Sequence, residues 1–130
     1  ISNAHMVHGD ALRLFRELLP AESLVAVHVY FPDPWWKKRH KRRRVMNELF
    51  VKDVERVLVA TGTLHFWTDV EEYFQAGCEL VTQHTSLRGP FDVPATGADH
   101  HLDYHPHFER RVRLHGQHVY RAEFLMEPVD

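Results

Sequence analysis

The chain predicts an α/β protein built on a mostly parallel sheet, and three observations carry that expectation. Residues 24–31 read Leu-Val-Ala-Val-His-Val-Tyr-Phe, the near-continuous apolar, β-branched run of a strand covered on both faces. Helical spacing dominates residues 45–60, where Met46, Leu49, Phe50, Val54, Val57 and Leu58 fall on one side. Strand, loop acid and helix also follow one another three times, through Asp10 after a short strand at Met6 to His8, then Asp33 and then Asp69, and such alternation marks a sheet with crossover helices.

Each element has a local reason. In residues 11–19, Leu12, Phe15, Leu18 and Leu19 share a helical face, and Pro20 ends the helix. The apolar strand comes next, then the 45–60 helix, which closes near Thr61-Gly62. Residues 63–68 alternate as a short strand, with His65 and Trp67 expected as core or groove lining rather than ligands, and residues 70–81 form a further helix. Residues 85–104 carry turn chemistry at Arg88-Gly89-Pro90 and around Pro94, so a loop is expected there. Residues 108–116 read as a short helix closed by Gly116, and residues 118–126 as a final strand.

At 130 residues, with 44% hydrophobic and 26% charged, the chain suits one domain with a modest core. Its net charge of -2 hides a polarity: seven of its 16 Lys and Arg lie at positions 37–44, leaving nine against 18 acids elsewhere. An acidic body with one basic segment is expected to meet polyanions at one place. The single Cys78 makes no internal disulfide and fits a reducing compartment; no apolar run is long enough for a bilayer, so a cytoplasmic protein with no membrane partner is expected. Twelve histidines, several of them within residues 99–107, invite a metal reading. No cysteine joins them and no His-x-x-x-His pair falls on a clear helix, so no metal site is expected and that stretch reads as a solvated loop.

The most informative stretch is residues 30–44, Tyr-Phe-Pro-Asp-Pro-Trp-Trp-Lys-Lys-Arg-His-Lys-Arg-Arg-Arg. Pro32 and Pro34 fix φ and bias the residue before each toward extended backbone, so Asp33 sits on a stiff corner at the end of a strand. Beside it are two indoles and a cationic run suited to phosphates. A solvated basic loop or a localisation tag would share only the second half.

Phe31-Pro32-Asp33-Pro34-Trp35-Trp36-Lys37-Lys38-Arg39-His40-Lys41-Arg42-Arg43 resembles the motif of the tRNA (guanine-N7)-methyltransferases, in which Pro-Asp-Pro-Trp precedes a Lys-rich step and Arg-His-x-Lys-Arg-Arg. A second resemblance lies in Phe108-Glu109-Arg110-Arg111 and Gly116-Gln117-His118-Val119-Tyr120; where the family has Thr before this segment the chain has Pro106, removing a hydroxyl. Asn3 and the Gly9-Asp10-Ala11 step match a third segment, in which a short strand, here Met6 to His8, ends at a loop acid.

The resemblance implies the C-terminal part of a Rossmann-like class I methyltransferase sheet, parallel strands with a last antiparallel strand. Residues 1–130 would form a partial domain with residues 35–44 as its RNA-binding loop. It implies S-adenosylmethionine as methyl donor, with Asp10, Ala11 and Asp33 at the cofactor, Asp33 also catalytic, and Asp10 and Asp33 converging on one cleft. Lys37, Lys38, Arg39, His40, Lys41, Arg42, Arg43, Asp69 and Glu109 would meet tRNA at its variable-loop guanine, with Trp35 or Trp36 stacking on the base. The six glycines make no G-x-G-x-x-G loop, so the methyl-donor site is expected to be incomplete and the chain a truncated form, inactive alone. A sheet in that state exposes an apolar flank, and a homodimer covering it is expected. Two alternatives remain open here: a non-catalytic RNA-binding module, and an amino methyltransferase acting on adenine or cytosine, whose Asn/Asp-Pro-Pro-aromatic motif is close to Pro32-Asp33-Pro34-Trp35.

Overall fold

The structure, a computed structural model, describes residues 2–35, 37–93 and 118–128. Four strands form one sheet in the order β1-β2-β4-β3, where β1 is Leu24–Tyr30, β2 Leu58–Thr68, β3 Arg88–Asp92 and β4 Tyr120–Leu125. β1 and β2 run parallel, while β4 runs antiparallel to both β2 and β3. The expected mixed α/β sheet with an antiparallel last strand is present.

Two helices cover one face. In α2 (Glu48–Val57) the buried positions are Phe50, Val51, Val54 and Val57, the i, i+1, i+4, i+7 stripe of an amphipathic helix. Its start is set by Asn47, whose side-chain oxygen accepts from the Phe50 amide at 2.9 Å. In α3 (Glu71–His84) the stripe is Tyr73, Gly77, Cys78 and Val81. Both pack on Val27 and Val29 of β1, Leu64 and Phe66 of β2, and Ala122 and Phe124 of β4, which neighbour one another across the ladder. Burial pushes the Cys78 thiol up to about 12, so it serves as a small core hydrophobe.

Several expectations are corrected. Met6 to His8 form no strand: Met6 is 97% exposed and no described strand pairs with them, and three residues without a ladder partner have nothing to hold them extended. Residues 11–19 are helical but divided, α1 (Ala11–Arg13) passing into a π-helical turn over Leu14–Leu18, with the Leu19 amide donating to the Leu14 carbonyl at 3.0 Å. The 45–60 helix is shorter than its pattern, because Leu58 enters β2 and pairs with Leu24. Gly62 makes that crossing possible: a Cβ there would lie 2.9 Å from the Val59 carbonyl oxygen and 3.2 Å from that of Val25. Arg88–Asp92, expected as loop, is an edge strand, where Pro90 is tolerated. β1 is not covered on both faces: Val27 and Val29 are buried, but His28 and Tyr30 on the opposite side are exposed. The expected 108–116 helix and the 99–107 histidine stretch lie outside the described residues.

Candidate functional site

The corner after β1 is held from several sides. The Phe31 amide donates to the Trp67 carbonyl at 2.7 Å, tying the strand end to β2. Phe31 and Trp35, at φ 50° and 45°, are both left-handed, so the Pro32-Asp33-Pro34 segment is bracketed by two residues in a region that side chains disfavour. Such strain persists only where surroundings enforce it, and it clusters at functional sites. Asp33 is exposed at the tip, and its Oδ1 accepts from the Trp35 amide at 3.1 Å. That bond is the turn-forming role of an aspartate, and it leaves the second carboxylate oxygen for another donor.

The basic run continues as a 3₁₀ helix over Lys38–Arg43. Lys37, Lys38, Arg39, Lys41, Arg42 and Arg43 are all exposed. Trp35 organises this turn: the Arg43 guanidinium lies 5.3 Å from its ring centre and His40 meets it edge-on at 5.7 Å. Asp33, Trp35, His40 and Arg43 therefore share one compact corner. Lys41 reaches Glu72 at the start of α3, Nζ to Oε1 3.1 Å, and the Lys41 hydrogen bond holds the Glu72 carboxyl below its usual range. Asp69 follows β2 directly, next to Thr68, whose Oγ1 accepts from the Val70 amide at 3.2 Å. Since β1 and β2 are parallel and in register from Tyr30 to Trp67, Asp33 and Asp69 follow the same end of the sheet. Ligands of open α/β sheets bind at that end.

The Asp10 end is built differently. An open pocket of about 280 Å³ is lined by Val7, His8, Gly9, Asp10, Ala11, Arg13, Leu14 and Leu18. One Asp10 oxygen is engaged in capping, accepting from the Leu12 amide at 3.0 Å. Asp33 does not line this pocket, so the expected convergence of the two acids is not seen among its described walls. The lining sets one carboxylate, the His8 imidazole and the Arg13 guanidinium beside the apolar Val7, Ala11, Leu14 and Leu18. Trp36 and Glu109, with Pro106, lie outside the described residues. Among the described residues no His, Cys, Asp and Glu cluster has the makings of a metal site, and no helix is long and apolar enough to cross a membrane.

Residues 37–44 read as one cationic block in the sequence, and the structure splits it. Arg44 is only 6% exposed. Its guanidinium lies 4.6 Å from the Tyr73 ring centre, donates from Nε to the Pro34 carbonyl and stands 3.4 Å from Glu72. Tyr73 in turn accepts the Met46 amide on its hydroxyl at 3.1 Å. The available signal was the apolar Val45-Met46 step after Arg44; nothing local marked Glu72 or Tyr73 as its partners.

A mixed sheet of this kind, with an acid-bearing corner and a basic turn at the ends of its parallel strands, is consistent with a Rossmann-like methyltransferase fold. A family model described as putative methyltransferase matches residues 1–122, and the chain belongs to that family. Methyltransferases of this family use S-adenosylmethionine in general. Relatives named tRNA (guanine-N(7)-)-methyltransferase are similar to it: one from Rhodopirellula baltica is 45% identical over 127 residues, 93% of this chain and 47% of that protein. Another from Ralstonia pickettii is 35% identical over 126 residues, 95% of this chain and 48% of that protein. A third, from Bordetella pertussis, is 40% identical over 99 residues, 76% of this chain and 39% of that protein. The chain spans about half the length of the curated relatives it matches.

Proposed function

We propose that this chain is the C-terminal half of a cytoplasmic tRNA (guanine-N7)-methyltransferase, and that its share of the work is to grip the RNA and orient the variable-loop guanine. The observation that carries the reading is the corner: an exposed carboxylate, Asp33, held between two left-handed residues beside six exposed cations. Guanine N7 is an unprotonated acceptor on the base edge, so methyl transfer to it needs no base to remove a proton first. Alignment and a fixed polar surround supply the rate. Asp33, with Asp69 and Glu109, accepts from guanine N1–H and N2–H, while Trp35 or Trp36 stacks on the base. Lys37, Lys38, Arg39, His40, Lys41, Arg42 and Arg43 follow the backbone. Asp10 and Ala11 would hold the adenine of S-adenosylmethionine, which supplies the methyl group as a sulfonium.

The test uses the enzyme at its relatives' full length. Replacing Lys41, Arg42 and Arg43 together by Ala should lower the slope of log affinity against log salt by about 2, near 0.7 to 0.9 per lost phosphate contact. The methylated product should be N7-methylguanine. An unchanged slope or N6-methyladenine as product would sink the proposal. For the 130-residue chain we infer self-association through the open side of the sheet and weak cofactor binding. β1 is the edge strand among the described residues, and on it Val25 is 76% and Tyr30 38% exposed. Light scattering that finds a stable monomer, or calorimetry that finds tight S-adenosylmethionine binding, would overturn the half-domain reading.

A further inference from the structure

We propose that Arg44 is a positioning residue: it takes no RNA phosphate and instead locks the Pro34 carbonyl, and with it Asp33, onto the start of α3. The proposal rests on the reading of Asp33 as the acid that meets the base. Six of the seven cations at positions 37–44 are exposed, and Arg44 alone is turned inward. A buried guanidinium is tolerated where polar partners and a ring face compensate its burial, and here Nε, Nη2 and one face each have such a partner. Nε donates to the Pro34 carbonyl, one residue past Asp33; the Glu72 carboxylate lies 3.4 Å from Nη2; and the Tyr73 ring covers the guanidinium at 4.6 Å.

The backbone of Arg44 is anchored as well. Its carbonyl accepts from Asn47 Nδ2 at 3.0 Å, and Asn47 caps α2. Arg44 thus links the start of α2, the start of α3 and the strained corner. Asp33 lies close enough to this centre for its charge to help raise the Tyr73 hydroxyl, although burial is the larger cause. Lysine would not replace it, because a compact ammonium on a flexible stem does not offer a planar fork and a stacking face together. The corner needs such a lock, since Phe31 and Trp35 hold backbone conformations they would otherwise leave.

The experiment is again done in the full-length enzyme. Arg44→Lys should lower kcat by about tenfold or more, as expected when a reacting group is misplaced by an ångström or less. KM for tRNA should stay within about twofold and the salt slope should not change, whereas Arg43→Ala should lower the slope by roughly one contact. In an Asp33→Asn background, Arg44→Lys should cost less than about twofold more, because both changes remove the same contribution. A slope lowered as in Arg43→Ala, or kcat losses that multiply in the double variant, would overturn the proposal. If Arg44→Lys does not fold, Glu72→Gln takes its place in a Lys41→Ala background, where the Glu72 pair with Lys41 is already gone, with an expected further kcat loss of about threefold; no loss would overturn the proposal equally. Turnover untouched by Asp33→Asn would overturn the reading of Asp33 instead, and the salt slope would then decide Arg44 alone.

Discussion

The two faces of the sheet use the same strands and have opposite characters. Toward α2 and α3, Val27, Val29, Leu64, Phe66, Ala122 and Phe124 interlock, and Leu64, Phe66 and Phe124 are fully buried. On the reverse, His28 stacks on His65 at 4.5 Å, Tyr30 on Trp67 at 4.4 Å, and the Arg121 guanidinium lies 5.0 Å from the Trp67 ring centre. The His28 and Tyr30 side chains also share a hydrogen bond of 2.7 Å. No described helix packs there. A period of two separates the faces, and each side chain's chemistry follows the face it lands on. One side is an aliphatic and aromatic core, and on the other flat, polar-tipped rings run from the exposed His28 and Tyr30 of β1 to the buried Trp67 and Arg121 further into the sheet.

That contrast can be broken most strongly on the covered face. Phe66→Ala should destabilise by about 3–5 kcal/mol, since it empties a fully buried site packed against Tyr73; denaturant unfolding measures it. Tyr30→Ala, on the open face, should cost far less, and comparable losses would mean that something covers that face. Overpacking comes next. A Cβ on Gly77 would lie 2.5 Å from the Phe66 ring, so Gly77→Ala should destabilise by about 1–3 kcal/mol despite its better helix propensity. A stabilised Gly77→Ala would show that α3 sits further from the sheet.

The smallest effect is electrostatic and belongs to the open face. Burial lowers both His28 and His65 below 6.5, and for His65 the His28 charge adds to this while Glu123 opposes it. Tyr30, Arg121 and Glu123 are the other ionisable groups beside the pair across the ladder. With the folded values depressed, the unfolded chain binds more protons once pH falls through about 6.5, so stability is full above that pH and declines below it. Solvent screening keeps the loss under about 1 kcal/mol. The pH dependence of the unfolding midpoint should flatten in His65→Gln, and a midpoint that rises on acidification would contradict the sign.

Much of this was legible because local patterns agreed with the fold. The apolar stripe of α2, the alternation of β2 and β4, and the proline-fixed corner at Asp33 are short-range features, and the basic run announced a polyanion surface through charge alone. Arg88–Asp92 was not legible, since Gly89-Pro90 carries turn chemistry and only pairing with β4 makes the segment a strand. Residues 24–31 misled for a related reason. His28 and Tyr30 sit among β-branched residues and read as buried, whereas burial depends on what packs against each face.

The sequence by itself determined which residues alternate, which residues form the buried stripe of α2, and where an acid, an indole and cations follow one another along the chain. Those properties follow from backbone geometry and charge within a few residues. Only the tertiary structure decided that Leu58 leaves the helix for β2, that Val27 and Val29 are covered while His28 and Tyr30 of the same strand stay exposed, and that Arg44 turns away from its six cationic neighbours. Each of these depends on a partner distant in the chain: Leu24 for Leu58, α2 and α3 for the covered face, Glu72 and Tyr73 for Arg44. A guanidinium in a charged run looks the same as its neighbours until a buried ring and a carbonyl, brought together by folding, give it somewhere else to go.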